Sequence, residues 1–160
     1  MRYVTLIARL FFGLAFTVFG LNAVLMGFGK PFMPPPKEMP EAAASFFQAL
    51  TNTRYMMPLI GGTEFVSGLM ILTGFCTPLG LTLLAPVILN IVLYHHYVDL
   101  SGLGIAYVVL ALELFLAYAY GPAFRGVLNP SAKPRWNQDK TSAPQGSSKS
   151  ERKQDVNDDV

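Results

Sequence analysis

Residues 61–80 read GGTEFVSGLMILTGFCTPLG. An apolar run carries one glutamate, Glu64, and then breaks at a short turn before apolar residues resume. Helical spacing places Gly61, Glu64, Gly68 and Ile71 on one face, so small residues flank the carboxyl and let a second helix approach. That face points inward. A charged carboxylate at the centre of a bilayer costs roughly 2.5 to 3.5 kcal/mol even on insertion-based scales. Glu64 must therefore be neutral, paired or facing a watery cavity.

A bilayer is the expected solvent because the 160 residues are 52% hydrophobic and only 14% charged, with a mean hydropathy of +0.39. Crossing a hydrocarbon core about 30 Å thick takes roughly 20 apolar residues of helix. Four segments qualify: Tyr3–Phe28, Tyr55–Gly74, Leu79–Val98 and Gly102–Tyr120. The first is too long for a cleaved leader, and no small-x-small site follows it. CTPLG joins the second and third spans so tightly that they must be antiparallel neighbours, with Thr77 as N-cap and Pro78 in the first turn. Ser101 is the cap candidate for the fourth span, which Gly121 and Pro122 end. The fold expected is an all-α integral membrane bundle of four antiparallel helices over residues 1–125.

Only the link from Gly29 to Arg54 is long. Its prolines rule out helix through GKPFMPPPKEMP, but PEAAASFFQAL can form a short helix turning Ala43, Phe46, Phe47 and Leu50 to one side and capping the bundle. Residues 129–160 hold half of all the charged side chains and no periodic apolar pattern. Such a segment cannot offset the entropy of ordering, so 126–160 is read as a disordered tail with Trp136 as an interfacial anchor. Arg2, Arg9, Arg125, Lys133 and Arg135 on the side of the termini, against Lys30, Lys37 and Arg54 opposite, favour both termini in the cytoplasm.

Net charge and cysteine count narrow the function. A charge of +2 without a basic and aromatic cluster gives no footing for nucleic acid. Cys76, alone, makes no internal disulfide, redox pair or multi-cysteine metal site. His95 and His96 point about 100 degrees apart on a helix and do not chelate one ion easily, so no metal is expected. Catalytic triads, phosphate-cradling glycine loops and dinucleotide fingerprints are missing from the spans.

Polar residues within the spans carry what functional signal there is. Glu64, Asn90 and Glu113 each fall about ten or eleven residues into a span, near the bilayer midplane. Asn90 shares a stripe with Tyr94 and Tyr97, His95 flanks it, and Pro86 is expected to kink the helix just before Asn90. Arg9 enters the first span and either reaches a carboxylate or snorkels to the surface. One reading makes these groups structural glue between helices. The other makes Glu64, Asn90, His95, Glu113, Arg9 and Tyr94 the lining of a pocket for a polar ligand head or a proton path.

The pattern resembles the DoxX family of small four-span membrane proteins. Arg9, Gly13 and Gly20 in ARLFFGLAFTVFG carry the likeness, with Glu64, Gly68, Gly74 and Pro78, and with Pro86, Asn90 and His95 in PVILNIVLYHH. One departure is GLNAV, standing where relatives often have a lysine after the second glycine. The resemblance covers residues 3–125. It implies a bacterial inner-membrane protein acting as subunit or accessory of a quinone-linked redox system, since relatives include a subunit of an archaeal thiosulfate:quinone oxidoreductase and components of redox-stress complexes. It equally implies the alternative of a non-enzymatic assembly or scaffold partner for another membrane protein. Vitamin K epoxide reductases share a related four-helix arrangement, but their paired cysteines are missing here. Thiol-based quinone reduction by this chain alone is disfavoured, and a subunit with a protein partner is expected rather than a self-sufficient enzyme.

Overall fold

The computed structural model describes residues 2–34 and 39–124. The expected tail over 126–160, with Trp136, Lys133 and Arg135, lies outside the described residues, as do Lys37 and Arg125.

Four helices long and apolar enough to span a membrane form the body: α1 (Arg2–Gly27), α3 (Met56–Thr73), α4 (Thr77–Tyr97) and α5 (Leu103–Ala119). The 12-residue α2 (Glu41–Asn52) occupies the long link, and a helical turn, α6 (Gly121–Phe124), follows α5. The spans neighbour one another in the order α1, α3, α4, α5, and α5 returns to α1 to complete the ring. Large apolar side chains stay exposed on the outward faces, among them Ile7 at 67%, Phe11 at 65% and Ile105 at 73%. In water such a belt would be a liability. Against lipid tails it is the natural outer surface of a spanning bundle, and the chain is a multi-pass integral membrane protein.

The closest packing joins α1 to α3, and glycine makes it possible. A Cβ built on Gly13 would stand 2.5 Å from the backbone nitrogen of Leu72, and one on Gly61 2.6 Å from that of Val24. Gly20 and Gly68 likewise face the backbone at Phe65 and Thr17. These pairs fall on a single antiparallel register. Close approach of backbones replaces the hydrophobic driving force that is missing between helices in lipid.

Gly74 ends α3 in the left-handed region at φ +81°, its N–H returning to the carbonyls of Met70 and Ile71. Only Gly74, Phe75 and Cys76 separate α3 from α4. This turn corrects the expected cap. Cys76, also left-handed at φ +53°, takes the N-cap position, while Thr77 is already helical and buried, its hydroxyl unbonded among the described residues. So short a reversal needs two left-handed residues, and the second displaces the threonine by one position. Ser101 is corrected too: it sits inside a 3-10 turn (Leu100–Gly102) whose cap is Asp99, which accepts from the Ser101 N–H at 3.1 Å. The Ser101 hydroxyl and N–H together hold the exposed Asp99 carboxyl below its ordinary pKa.

Phe12, Phe16, Ile71, Leu81, Leu84, Ile88 and Leu116 form the buried core, joined at its edge by Ala8, Tyr120 and Phe124. All four spans contribute to it. Because Ala8, Tyr120 and Phe124 belong to the chain's end of the bundle, the core seals that half. The opposite, loop half is arranged differently. There α2 turns Ala43, Phe46, Phe47 and Leu50 inward and leaves its other residues exposed, which is the face its spacing predicts. The rings of Phe46 and Phe47 lie 5.2 and 5.6 Å from that of Tyr94, so α2 caps the bundle at the end of α4.

Candidate functional site

Beneath α2 the loop half holds a partly open cavity of 780 Å³. That is room for a ligand of some size, as small-molecule sites run from about 300 to 1,000 Å³. α3 forms the back wall with Met57, Ile60 and Glu64. α1 supplies one side through Phe19, Asn22, Ala23 and Met26, and α4 the other through Val87, Asn90, Tyr94 and His95. Met33, Pro34, Phe46, Phe47 and Leu50 cover it.

Glu64, Asn90, Tyr94 and His95 thus share one cavity, while two residues grouped with them by sequence do not line it. Arg9 lays its guanidinium against Gly74, at the C-terminal end of α3. The free carbonyls there carry the negative end of the helix dipole. Ten residues separate Gly74 from Glu64, about 15 Å along the helix, so the Arg9 side chain lies toward the surface end of α3, with its Nε unpartnered among the described residues. Glu113 is buried on α5 at 5% exposure, with Oε2 unpartnered among the described residues. α5 contributes nothing to the cavity wall.

Glu64 is 8% exposed, as buried as Asn22, and without a hydrogen bond to any described residue. The near face of α1 is glycine at Gly20, where a Cβ would meet the Glu64 Cβ at 2.8 Å. The glycine register that draws α1 onto α3 thereby fixes the carboxyl stem and directs its head toward the open volume. Asn90 is exposed and also has no partner among the described residues. α4 continues through Pro86 as one helix, and Thr82 bonds its hydroxyl to the Pro78 carbonyl at 2.9 Å.

His95 is held from behind. Its Nδ1 is 2.9 Å from the Asp99 carbonyl oxygen, which can only accept, so Nδ1 carries the proton and donates. In the Nδ1–H tautomer, Nε2 is the acceptor. Gly102 permits this placement: a Cβ there would collide with Cε1 and both ring nitrogens. Tyr94 stacks edge-on to the imidazole at 5.0 Å between centroids. His96, by contrast, is exposed and pairs its ring with Tyr97 at 4.8 Å.

Asn22 is the residue that sequence reasoning missed. Buried on α1 at 8% exposure, it accepts from the Met33 N–H at 2.8 Å and donates to the Met33 carbonyl at 3.1 Å. This clamp draws the link down over the cavity. Asn22 stands in GLNAV, and an amide inside an otherwise apolar span was the available signal. Asn22→Ala should therefore release the link. Two such bonds contribute about 1 to 3 kcal/mol, so the Met33 amide should exchange with deuterium at least about fivefold faster while the α3 amides stay protected. Unaltered exchange at Met33 would show that the clamp is not what holds it.

The arrangement is an apolar chamber with a few convergent polar groups, a carboxyl and, nearer the loops, an imidazole acceptor. Such a lining suits a largely apolar group that carries a few hydrogen-bonding atoms.

Comparison with curated proteins and with solved structures gives no match. The DoxX family model matches residues 4–97, which takes in α1 to α4, the glycine register and every polar residue of the cavity, and leaves α5 outside. With more than half its length under that match, this four-span membrane protein belongs to the DoxX family.

Proposed function

We propose that the chain is a membrane subunit or accessory component of a quinone-linked redox system and that the cavity holds a quinone head. The observation that carries this reading is the single chamber shared by Glu64, Asn90 and His95, apolar almost everywhere else. Ring oxygens need hydrogen-bonding groups and the ring needs apolar contact. Tyr94, Phe46 and Met57 supply the contact, while Asn90 donates from its amide and Glu64, carrying a proton, donates from its carboxyl. His95 Nε2 accepts from a hydroxyl. A quinone, when bound, supplies two-electron chemistry coupled to protons. For that chemistry Glu64 is the proton-holding group, because it is the carboxyl that the chamber contains.

The chain has no electron carrier in its cysteine content, with Cys76 alone and exposed, so electrons come from a protein partner. Placement in a bacterial inner membrane with the termini in the cytoplasm fits the basic residues near the termini and puts α2 and the loop half of the bundle on the opposite side.

Glu64→Gln keeps the shape and removes the exchangeable acidic proton. Quinone binding by the purified protein in nanodiscs should weaken about tenfold, with thermal stability unchanged. Equal quinone affinity and turnover in the variant and the parent would overturn the assignment of Glu64 and, with it, the site.

A further inference from the structure

The cavity is not closed evenly. On the side of the loops it is covered by α2, whose Phe46 and Phe47 pack on Tyr94, and by the link that Asn22 clamps at Met33. Toward the termini it ends on the sealed core. Along the flank between α1 and α4, however, lining residues are exposed: Phe19 at 59%, and Pro86 and Asn90 opposite. No residue of α5 lines the cavity there, although α5 closes against α1 at the other end of the bundle.

Asn90 makes the gap informative. An amide within a span, exposed and without a partner among the described residues, would leave its donors and acceptor facing hydrocarbon, at a cost of a few kcal/mol. The amide is useful at that position only if something polar passes or stays beside it. Glu64, nine-tenths buried and likewise unpartnered, lies deeper along the same path.

We infer that the flank between α1 and α4 is a lateral portal, through which a membrane-dissolved amphiphile enters directly from the bilayer. Its polar head passes Asn90 to reach Glu64, and its apolar tail remains in the lipid between Phe19 and Pro86. The inference rests on the quinone reading for the nature of the head. It adds the direction of entry and the requirement for a tail.

Two measurements separate the portal from that reading. In a Trp136→Phe background, Phe19→Trp places a reporter on the lip and Val87→Trp one inside the chamber. Phe19→Trp is the conservative change and remains informative if the second does not fold. Lipids brominated in mid-chain should quench both reporters strongly, and aqueous iodide should leave them nearly untouched, whatever ligand the protein takes. Strong iodide quenching with little bromine quenching would mean a mouth at the loop end, and would overturn the portal.

The second measurement compares a quinone bearing an isoprenoid tail with the same ring bearing only a methyl group, each in nanodiscs at equal membrane concentration. The tailed form should bind about tenfold more tightly, a difference of about 1.4 kcal/mol. Equal affinities would overturn the tail requirement while leaving the head site standing. Failure of both to bind, with bromine quenching intact, would sink the quinone assignment and leave the portal in place.

Discussion

Gly20→Val and Gly68→Val should each prevent the bundle from forming or leave it severely destabilised. The atoms that an added side chain would meet are backbone, at Phe65 for Gly20 and at Thr17 for Gly68, and backbone cannot rotate aside as a flexible side chain can. Overpacking a well-filled interior costs about 1 to 3 kcal/mol where neighbours yield, and more where they do not. α1 would have to move bodily away from α3, dissolving the contact that orients Glu64. Gly62 is the control. It adjoins Gly61, yet a Cβ there meets nothing within 4 Å. Gly62→Ala should be neutral or up to about 1 kcal/mol more stable, because alanine is the better helix former. Unfolding in mixed micelles by increasing SDS would rank the three proteins. A Gly20→Val protein as resistant as the parent would disprove the close α1–α3 register.

Replacement of Glu113 should act in the opposite direction. Its side chain is buried and one carboxyl oxygen has no partner among the described residues. An unsatisfied buried polar group costs about 1 to 3 kcal/mol, and an apolar side chain of similar shape removes that cost. Glu113→Met should therefore raise the stability of the protein by that amount and leave quinone affinity unchanged, since Glu113 stands outside the chamber. The contrast with Glu64→Gln divides two carboxyls that are similar by depth in the sequence. Should Glu113→Met lower stability instead, the carboxyl must have a partner in the folded protein. Should it abolish ligand binding at constant stability, Glu113 belongs to the site.

Periodicity made much of this molecule legible from its residues. The inward face of Gly61, Glu64, Gly68 and Ile71, and the Ala43, Phe46, Phe47 and Leu50 side of α2, both follow from side-chain spacing, which is a local property of a helix. Grouping Glu64 with Asn90, Tyr94 and His95 followed from depth and facing together. Depth alone did not place Glu113, which sits at the same level but does not line the cavity: which interior it faces depends on how the fourth helix closes the ring, and no residue of that helix records this by itself. Arg9 was undecided for another reason. Its side chain reaches in either direction, and the structure places its guanidinium beside Gly74. The Asn22 clamp joins two groups eleven positions apart across the end of α1, and the partner is a backbone group, which any residue would have offered.

The three-residue turn between α3 and α4 has a consequence for how the protein is made. Two apolar helices joined so tightly leave the ribosome in quick succession and enter the bilayer as a hairpin, so the free energy of insertion is set by the pair. α3 carries Glu64 and is the shorter of the two, whereas α4 has 21 residues and no acidic or basic side chain except its terminal histidines. The strongly apolar second arm carries the first one in. Nascent chains arrested with α3 emerged but α4 still inside the ribosome should therefore hold α3 less securely in the membrane than chains arrested after Val98, and lengthening the turn with a flexible polar insert should uncouple the two arms.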